Sequence, residues 1–202
     1  MSTSSPEFWT QMSEGFRWTP GGYRSRPFEY VSHIGPAGSG SSTAGDMARY
    51  MQLLLNGGTL DNAVIYGPGV AKAFRTDLRA TPPGINGWRH GFMDYDVPGG
   101  RTGFGHGGAT LSFLSNMVIV PDLGVGIFIS TNTETGHALT ERFPGEVIQQ
   151  FYAQTRPFPR PGSAELRSRA KTFEGYYVGT RRAYRGLESF IGLLTKDRKS
   201  VV

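Results

Sequence analysis

The chain has no cysteine, which excludes disulfides and cysteine-ligated zinc or iron–sulfur sites and leaves its redox compartment open. It also has no run of about 18 apolar residues, so no segment reads as a membrane-spanning helix. Its first residues, MSTSSPEFWTQMSEGF, do not show the basic start and apolar core of a secretory signal. Charge is sparse at 18%, and aromatics reach 12%, a balance that excludes a disordered chain. No internal repeat with a period of roughly 20–50 residues is present, which argues against solenoids and propellers.

What remains is a turn-rich globular composition: 202 residues, 38% hydrophobic, with 29 glycines and 13 prolines. That length holds one sizeable domain, or a domain and part of another. The formal net charge is +5 and the isoelectric point about 9.6, which raises the question of a nucleic-acid partner. The arginines are scattered from Arg17 to Arg198. Their densest groups, Arg167, Arg169 and Lys171, then Arg181, Arg182 and Arg185, accompany no recognised nucleic-acid motif. The expectation is a solvated basic surface and no nucleic-acid partner.

The first 40 residues, dense in Gly, Pro, Ser and aromatics, read as an irregular, partly packed loop region. Thr43 then offers a hydroxyl N-cap with Asp46 three residues later. Met47, Met51, Leu54 and Leu55 share one face, and Asn56-Gly57-Gly58 supplies a left-handed stop, which predicts a helix of about three turns. Gly67-Pro68 predicts a second, shorter helix, and Trp88 and Phe92 to Tyr95 short strand pieces.

Leu111 to Val120 and Val125 to Thr131 are β-rich apolar runs joined by Pro121-Asp122-Leu123-Gly124, a turn in which proline fixes φ and glycine accepts a positive one. Their nearly unbroken apolar character predicts a sheet covered on both faces by helices. Residues 138 to 154 read as a helix that Pro144-Gly145 should kink or restart. The class is therefore α+β, an antiparallel sheet with helices. Domain limits fall at 1–156, a proline-rich linker at 157–164, and a shorter segment at 165–196.

At the mouth of the predicted hairpin stands Gly105-His106-Gly107-Gly108-Ala109. Lacking Cβ atoms, Gly107 and Gly108 let a ligand approach the backbone, and the exposed N–H groups could bind an oxyanion. The same residues also suit a histidine in a turn that merely precedes a strand.

The wider arrangement is more specific. Pro36-Ala37-Gly38, then Ser42 to Tyr50, Leu55-Asn56-Gly57-Gly58, and the His-Gly-Gly before a hairpin closing at Thr131-Asn132 together resemble the serine β-lactamase-like family. That family includes class C β-lactamases, penicillin-binding DD-peptidases and related esterases. The resemblance covers roughly residues 20 to 155. It implies a β-lactamase/transpeptidase-like fold, incomplete at its N-terminal side, and a Ser-x-x-Lys nucleophile, a Tyr-x-Asn base and a Lys-Thr-Gly or His-x-Gly triad on a strand. By this resemblance His106 stands where the triad's basic residue would, Gly107 and Gly108 line the substrate, and the N–H of Ala109 is an oxyanion donor. No cofactor and no metal are implied.

The sequence departs from the family pattern at the nucleophile. Neither Ser-x-x-Lys nor Tyr-x-Asn precedes Pro36. The one Ser-x-x-Lys, Ser168 to Lys171, follows the hairpin and is out of order; Ser130-Thr131-Asn132 ends a hairpin strand, and Arg101-Thr102-Gly103 is expected to lie before the strand. Met1 to Ser5 resembles an internal family segment, and Asp197 to Val202 resembles translated sequencing adapter, so a fragment of a longer product is expected, with residues 197–202 a non-native tail. Phe173 to Leu194 resembles the start of a β-rich C-terminal domain.

The expected role is therefore part of an acyl-serine hydrolase acting on a β-lactam, a peptidoglycan-like peptide or an ester. This chain would be inactive by itself, and its half-built sheet would expose an aggregation-prone edge. The intact parent would act outside the cytoplasm, with membrane association only through segments beyond this chain. Two other classes stay open: a non-catalytic binding or regulatory module of the same fold, and metal-dependent hydrolysis through His33, His90, His106 and His137, whose spacings do not match a helical zinc motif.

Overall fold

The computed structural model describes residues 10–29, 31, 35–78, 87–153, 165–177, 185–194 and 197–199. The chain divides into two units, 1–157 and 158–202. The predicted linker at 157–164 lies outside the described residues, as do His33, Arg181 and Arg182.

Among the described residues of the first unit, the first strands are a hairpin, β1 (Gly15–Thr19) and β2 (Gly22–Arg26), where the sequence predicts an irregular loop. The alternation is only five residues long on each side, too short to stand out. Pro20-Gly21-Gly22 turns it, and Gly22 takes a φ of 99°. What holds it is tertiary. The Phe16 N–H donates to the Asn132 carbonyl at 2.8 Å, and Arg26 pairs with Glu134 at 2.7 Å.

A short helical turn, α1 (Gly35–Gly38), precedes α2 (Ala44–Leu55). Thr43 caps α2 as the sequence predicts: its Oγ1 accepts from the Asp46 N–H, and the Asp46 carboxylate accepts from the Thr43 N–H. The Thr43 hydroxyl also donates to Asp46 Oδ2 at 2.8 Å, and this bond, with the one from the Thr43 N–H, holds the Asp46 carboxyl below the ordinary aspartate range. The small hairpin β3 (Thr59–Leu60) and β4 (Ala63–Val64) follows, then α3 (Pro68–Ala73) with its proline in the first turn.

The core of the unit is a four-stranded antiparallel meander, β5 (Met93–Val97), β6 (Arg101–Ala109), β7 (Leu114–Val120) and β8 (Val125–Thr131), in that order. Gly124, at φ 63°, makes the turn between β7 and β8. The sheet is covered on both faces, because alternate residues of β7 serve opposite layers. Met117 and Ile119 join Phe104 and Phe92 under Met51 and Leu54 of α2. Val118 and Val120 join Ile127 and Val97 against Ile148 of α4 (His137–Phe151).

Pro144 lies inside α4, which runs as one helix from His137 to Phe151 rather than restarting. A proline has no N–H for the carbonyl four residues back, that of Thr140. Here the buried Asn116 side chain of β7 replaces it: Nδ2 donates to the Thr140 carbonyl at 3.1 Å, while Oδ1 accepts from the Tyr95 hydroxyl at 2.9 Å. Asn116→Leu would strand both groups and should cost about 2 kcal/mol. Combined with Pro144→Ala, which returns an N–H to that carbonyl, the loss should shrink. Denaturant unfolding of the two variants checks this; equal losses would contradict it.

The second unit contains α5 (Leu166–Arg169), a 3₁₀ turn, β9 (Gly175–Tyr177), α6 (Leu187–Leu194) and β10 (Asp197–Lys199), with β9 and β10 paired antiparallel. Among the described residues no helix is long and apolar enough to cross a membrane.

Candidate functional site

The sequence places His106 at a strand entrance, but β6 starts five residues earlier, at Arg101, and His106 is well inside it. Four glycines among nine residues hide the strand from propensity. They are there because the neighbours come close. A Cβ on Gly105 would lie 1.8 Å from the Met117 carbonyl oxygen, and one on Gly103 only 2.9 Å from that of Ile119. Arg101-Thr102-Gly103 is thus inside the strand too, not before it. It sits about 10–17 Å from His106 along the strand, at about 3.4 Å per residue. The neighbouring β7 begins at Leu114 rather than Leu111, because Thr110 to Phe113 form a turn in which Thr110 Oγ1 accepts from the Phe113 N–H.

The register defines an opening. β5 pairs with Arg101 to Gly105 and stops, whereas β7 pairs with β6 from Phe104 to Ala109. Among the described residues, no strand pairs with His106-Gly107-Gly108-Ala109 on the β5 side. Successive N–H groups of a strand point to opposite edges, so about half of those at 106–109 face that side. An extended chain of ligand atoms could add there as a strand does.

His106 shares a sheet face with Phe104 and Gly108, the face covered by α2. Gly108 keeps this face clear beside the histidine: a Cβ there would stand 2.6 Å from Ser115 Oγ. His106 is half-buried, and its Nδ1 lies 2.5 Å from the Gly107 carbonyl oxygen. A carbonyl only accepts, so Nδ1 carries the proton and Nε2 is left as the acceptor of the neutral ring. The Trp88 ring stands edge-on to the imidazole, centroids 6.3 Å apart. Ala109 is exposed at the strand end. Just beyond it the Leu111 N–H donates to Glu29 Oε2 at 2.7 Å, which ties the Phe28-Glu29 segment to the rim and sets a carboxylate there. Glu29 carries no sequence signal, since its partner is far along the chain.

On the same face lies a second feature that sequence reading misses. Arg89 Nε reaches Asp94 Oδ1 at 2.6 Å and Asp77 Oδ1 at 3.2 Å. Burial raises the Asp94 carboxyl above the ordinary aspartate range; Arg89 pulls it down, and the Asp77 carboxylate pushes it up again. A raised pKa in the folded state means that this group's stabilisation is complete below the unfolded aspartate range and is lost as pH rises through the folded value. Asp94→Asn mimics the neutral acid. Its melting temperature relative to wild type should therefore improve as pH rises above the ordinary aspartate range and level off once the folded Asp94 carboxyl is ionised. A variant that instead worsens with pH would show that the ion pair with Arg89 outweighs desolvation.

His106, Gly107, Gly108 and Ala109 thus lie together on the unpaired edge of β6. Ser168, of the out-of-order Ser-x-x-Lys, belongs to α5 of the second unit, where its hydroxyl donates to the Glu165 carbonyl at 2.9 Å. His137 is exposed and pairs with Glu141 at 3.2 Å, and His90 is exposed. Among the described residues no three of His, Asp and Glu are grouped to hold a metal.

Comparison with known proteins bears on this arrangement. No curated protein matches the chain. The solved structure of an octameric penicillin-binding protein homologue from Pyrococcus abyssi is similar in fold, with a TM-score of 0.56 at 18% sequence identity. The alignment covers 87% of this chain and 39% of that one, so the chain spans about two fifths of that neighbour's length. A family model described as Beta-lactamase matches residues 4–150, which include the meander, both covering helices and the His106 edge. With that match over most of its length, the chain belongs to the beta-lactamase family.

Proposed function

We propose that this chain supplies the third catalytic element of an acyl-serine hydrolase. The open edge of β6 binds an acyl substrate, and His106 lies beside the reacting carbonyl. The observation that carries the reading is the register: pairing with β5 stops at Gly105 of β6, and among the described residues no strand covers His106 to Ala109 on that side, which leaves their backbone as a partner for an extended substrate. Gly107 and Gly108 keep side chains off that path, and the N–H of Ala109 serves as an oxyanion donor. With Nδ1 turned to the Gly107 carbonyl, His106 offers Nε2 to the proton relay or to the substrate.

Covalent chemistry needs a serine activated by a base, and residues 1–157 contain no Ser-x-x-Lys or Tyr-x-Asn. The nucleophile therefore belongs to sequence encoded upstream, and this chain alone forms no acyl-enzyme. The intact parent hydrolyses a β-lactam, a peptidoglycan-like peptide or an ester, outside the cytoplasm. No cofactor takes part.

Sequencing the source DNA upstream of this reading frame tests the proposal. An in-frame Ser-x-x-Lys followed by Tyr-x-Asn is the expected result. A stop codon and promoter directly before Met1 would overturn it and favour a binding module with the same fold.

A further inference from the structure

The most constructed polar cluster outside the His106 edge is Asp77, Arg89 and Asp94. It lies on the same sheet face: Asp94 is paired with Phe104, and His106 stands two residues further along β6. The Arg89 side chain is 14% exposed and that of Asp94 11%. Its guanidinium sits 5.9 Å from the centre of the Phe104 ring. Two carboxylates on one buried guanidinium fix that group in position and direction, which a lysine, as a point charge, could not do.

Backbone bonds from residues of, or next to, this cluster tie down the chain around Trp88. The Asp94 N–H donates to the Gly87 carbonyl at 3.1 Å, and the Leu78 N–H donates to the Trp88 carbonyl at 2.8 Å. Trp88 also bridges to Met93. A Cβ at Gly87 would fall 2.7 Å from both the Asp77 and Asp94 carboxylates, so a larger residue there would push the two acids aside. The segment is thus threaded between the two acids, and its central side chain is the one whose ring meets His106 edge-on.

We propose that Asp77, Arg89 and Asp94 form a clamp that holds Trp88 against the His106 imidazole, and that all three are positioning residues for the candidate site. An imidazole at an open strand edge would otherwise turn among several rotamers. The Trp88 wall keeps the one in which Nδ1 meets the Gly107 carbonyl and Nε2 remains available. The functional sense of the clamp rests on the acyl-hydrolase reading; the packing it enforces does not.

The test is the position of the His106 ring-proton signals in NMR spectra of the 202-residue chain at pH 7, assigned with His106→Gln. Trp88→Leu should move them, because the indole ring current is lost. Arg89→Met should move them in the same direction, with the His137 signals unchanged, and Arg89→Lys should fall between it and wild type. Unmoved His106 signals in a folded Arg89→Met chain, or in Trp88→Leu itself, would overturn the proposal. Should Arg89→Met fail to fold, Asp77→Asn, which alters the most exposed member, gives the same reading with a smaller shift, and no shift would overturn it. Because no substrate is involved, a failed acyl-hydrolase reading leaves these outcomes intact, and a failed clamp leaves that reading intact.

Discussion

Gly105→Ala is expected to abolish stable folding of the first unit, or to lower its stability by about 3 kcal/mol or more. The added Cβ would meet the Met117 carbonyl oxygen at 1.8 Å, its carbonyl carbon at 2.8 Å and the Val118 Cα at 3.1 Å. All three are backbone atoms of the paired strand. No rotamer change relieves the contact, so β6 and β7 must separate, and they are the central pair of the meander. Gly107→Ala is the control, two residues away in the same strand. Its Cβ would find only the Ser115 carbonyl oxygen at 3.6 Å, an ordinary contact. Alanine in a strand is favoured over glycine by about 0.5–1 kcal/mol, so Gly107→Ala should be neutral to slightly stabilising. Circular dichroism and thermal unfolding of the two variants decide it; similar behaviour would mean that the register at the site is wrong. Should Gly107→Ala be stable yet weaken substrate binding in a longer, active protein, the glycine is there for the ligand and not for the fold.

Phe104→Ala should cost about 3–5 kcal/mol, a fall in melting temperature on the order of 10 °C. Phe104 is 1% exposed and meets Phe92 edge-on at 5.3 Å within the layer formed by Met51, Leu54, Met117 and Ile119. The surrounding side chains come from a helix, a strand and a loop, so the cavity cannot close by a local shift. The ring also underlies the Arg89 guanidinium, and its loss should therefore disturb Trp88 and His106 together. A loss under about 1 kcal/mol would show that this layer is not a close-packed core.

What was legible in the sequence was local. The capping box of Thr43 and Asp46, the stop at Gly57-Gly58 and the turn at Gly124 each depend on a few neighbouring residues, and each stands where the sequence predicts. The two-sided cover of the sheet followed from the apolar runs of β7 and β8. What was hidden depends on distant partners. The β1–β2 hairpin is held by Asn132 and Glu134, and α4 passes through Pro144 because Asn116 serves its stranded carbonyl. The early part of β6 was masked by its glycines, whose reason is the backbone of β7.

The candidate site divides in the same way. His106, Gly107, Gly108 and Ala109 form a contiguous motif, and motif and strand edge coincide. Trp88, Arg89, Asp77, Asp94 and Glu29 come from separate stretches, and only folding brings them near it. Their spacing carries no period that a sequence could display.

The most direct test of the central claim is intact-mass spectrometry after incubation with a β-lactam and, separately, a fluorophosphonate. Two proteins would be compared, this chain and the product of the reading frame extended upstream. The account predicts an acyl or phosphonyl adduct on one serine of the extended protein, formed roughly 10²-fold more slowly in its His106→Ala variant, and no adduct on the 202-residue chain. An adduct on this chain by itself, or an extended protein that labels equally fast without His106, would contradict it.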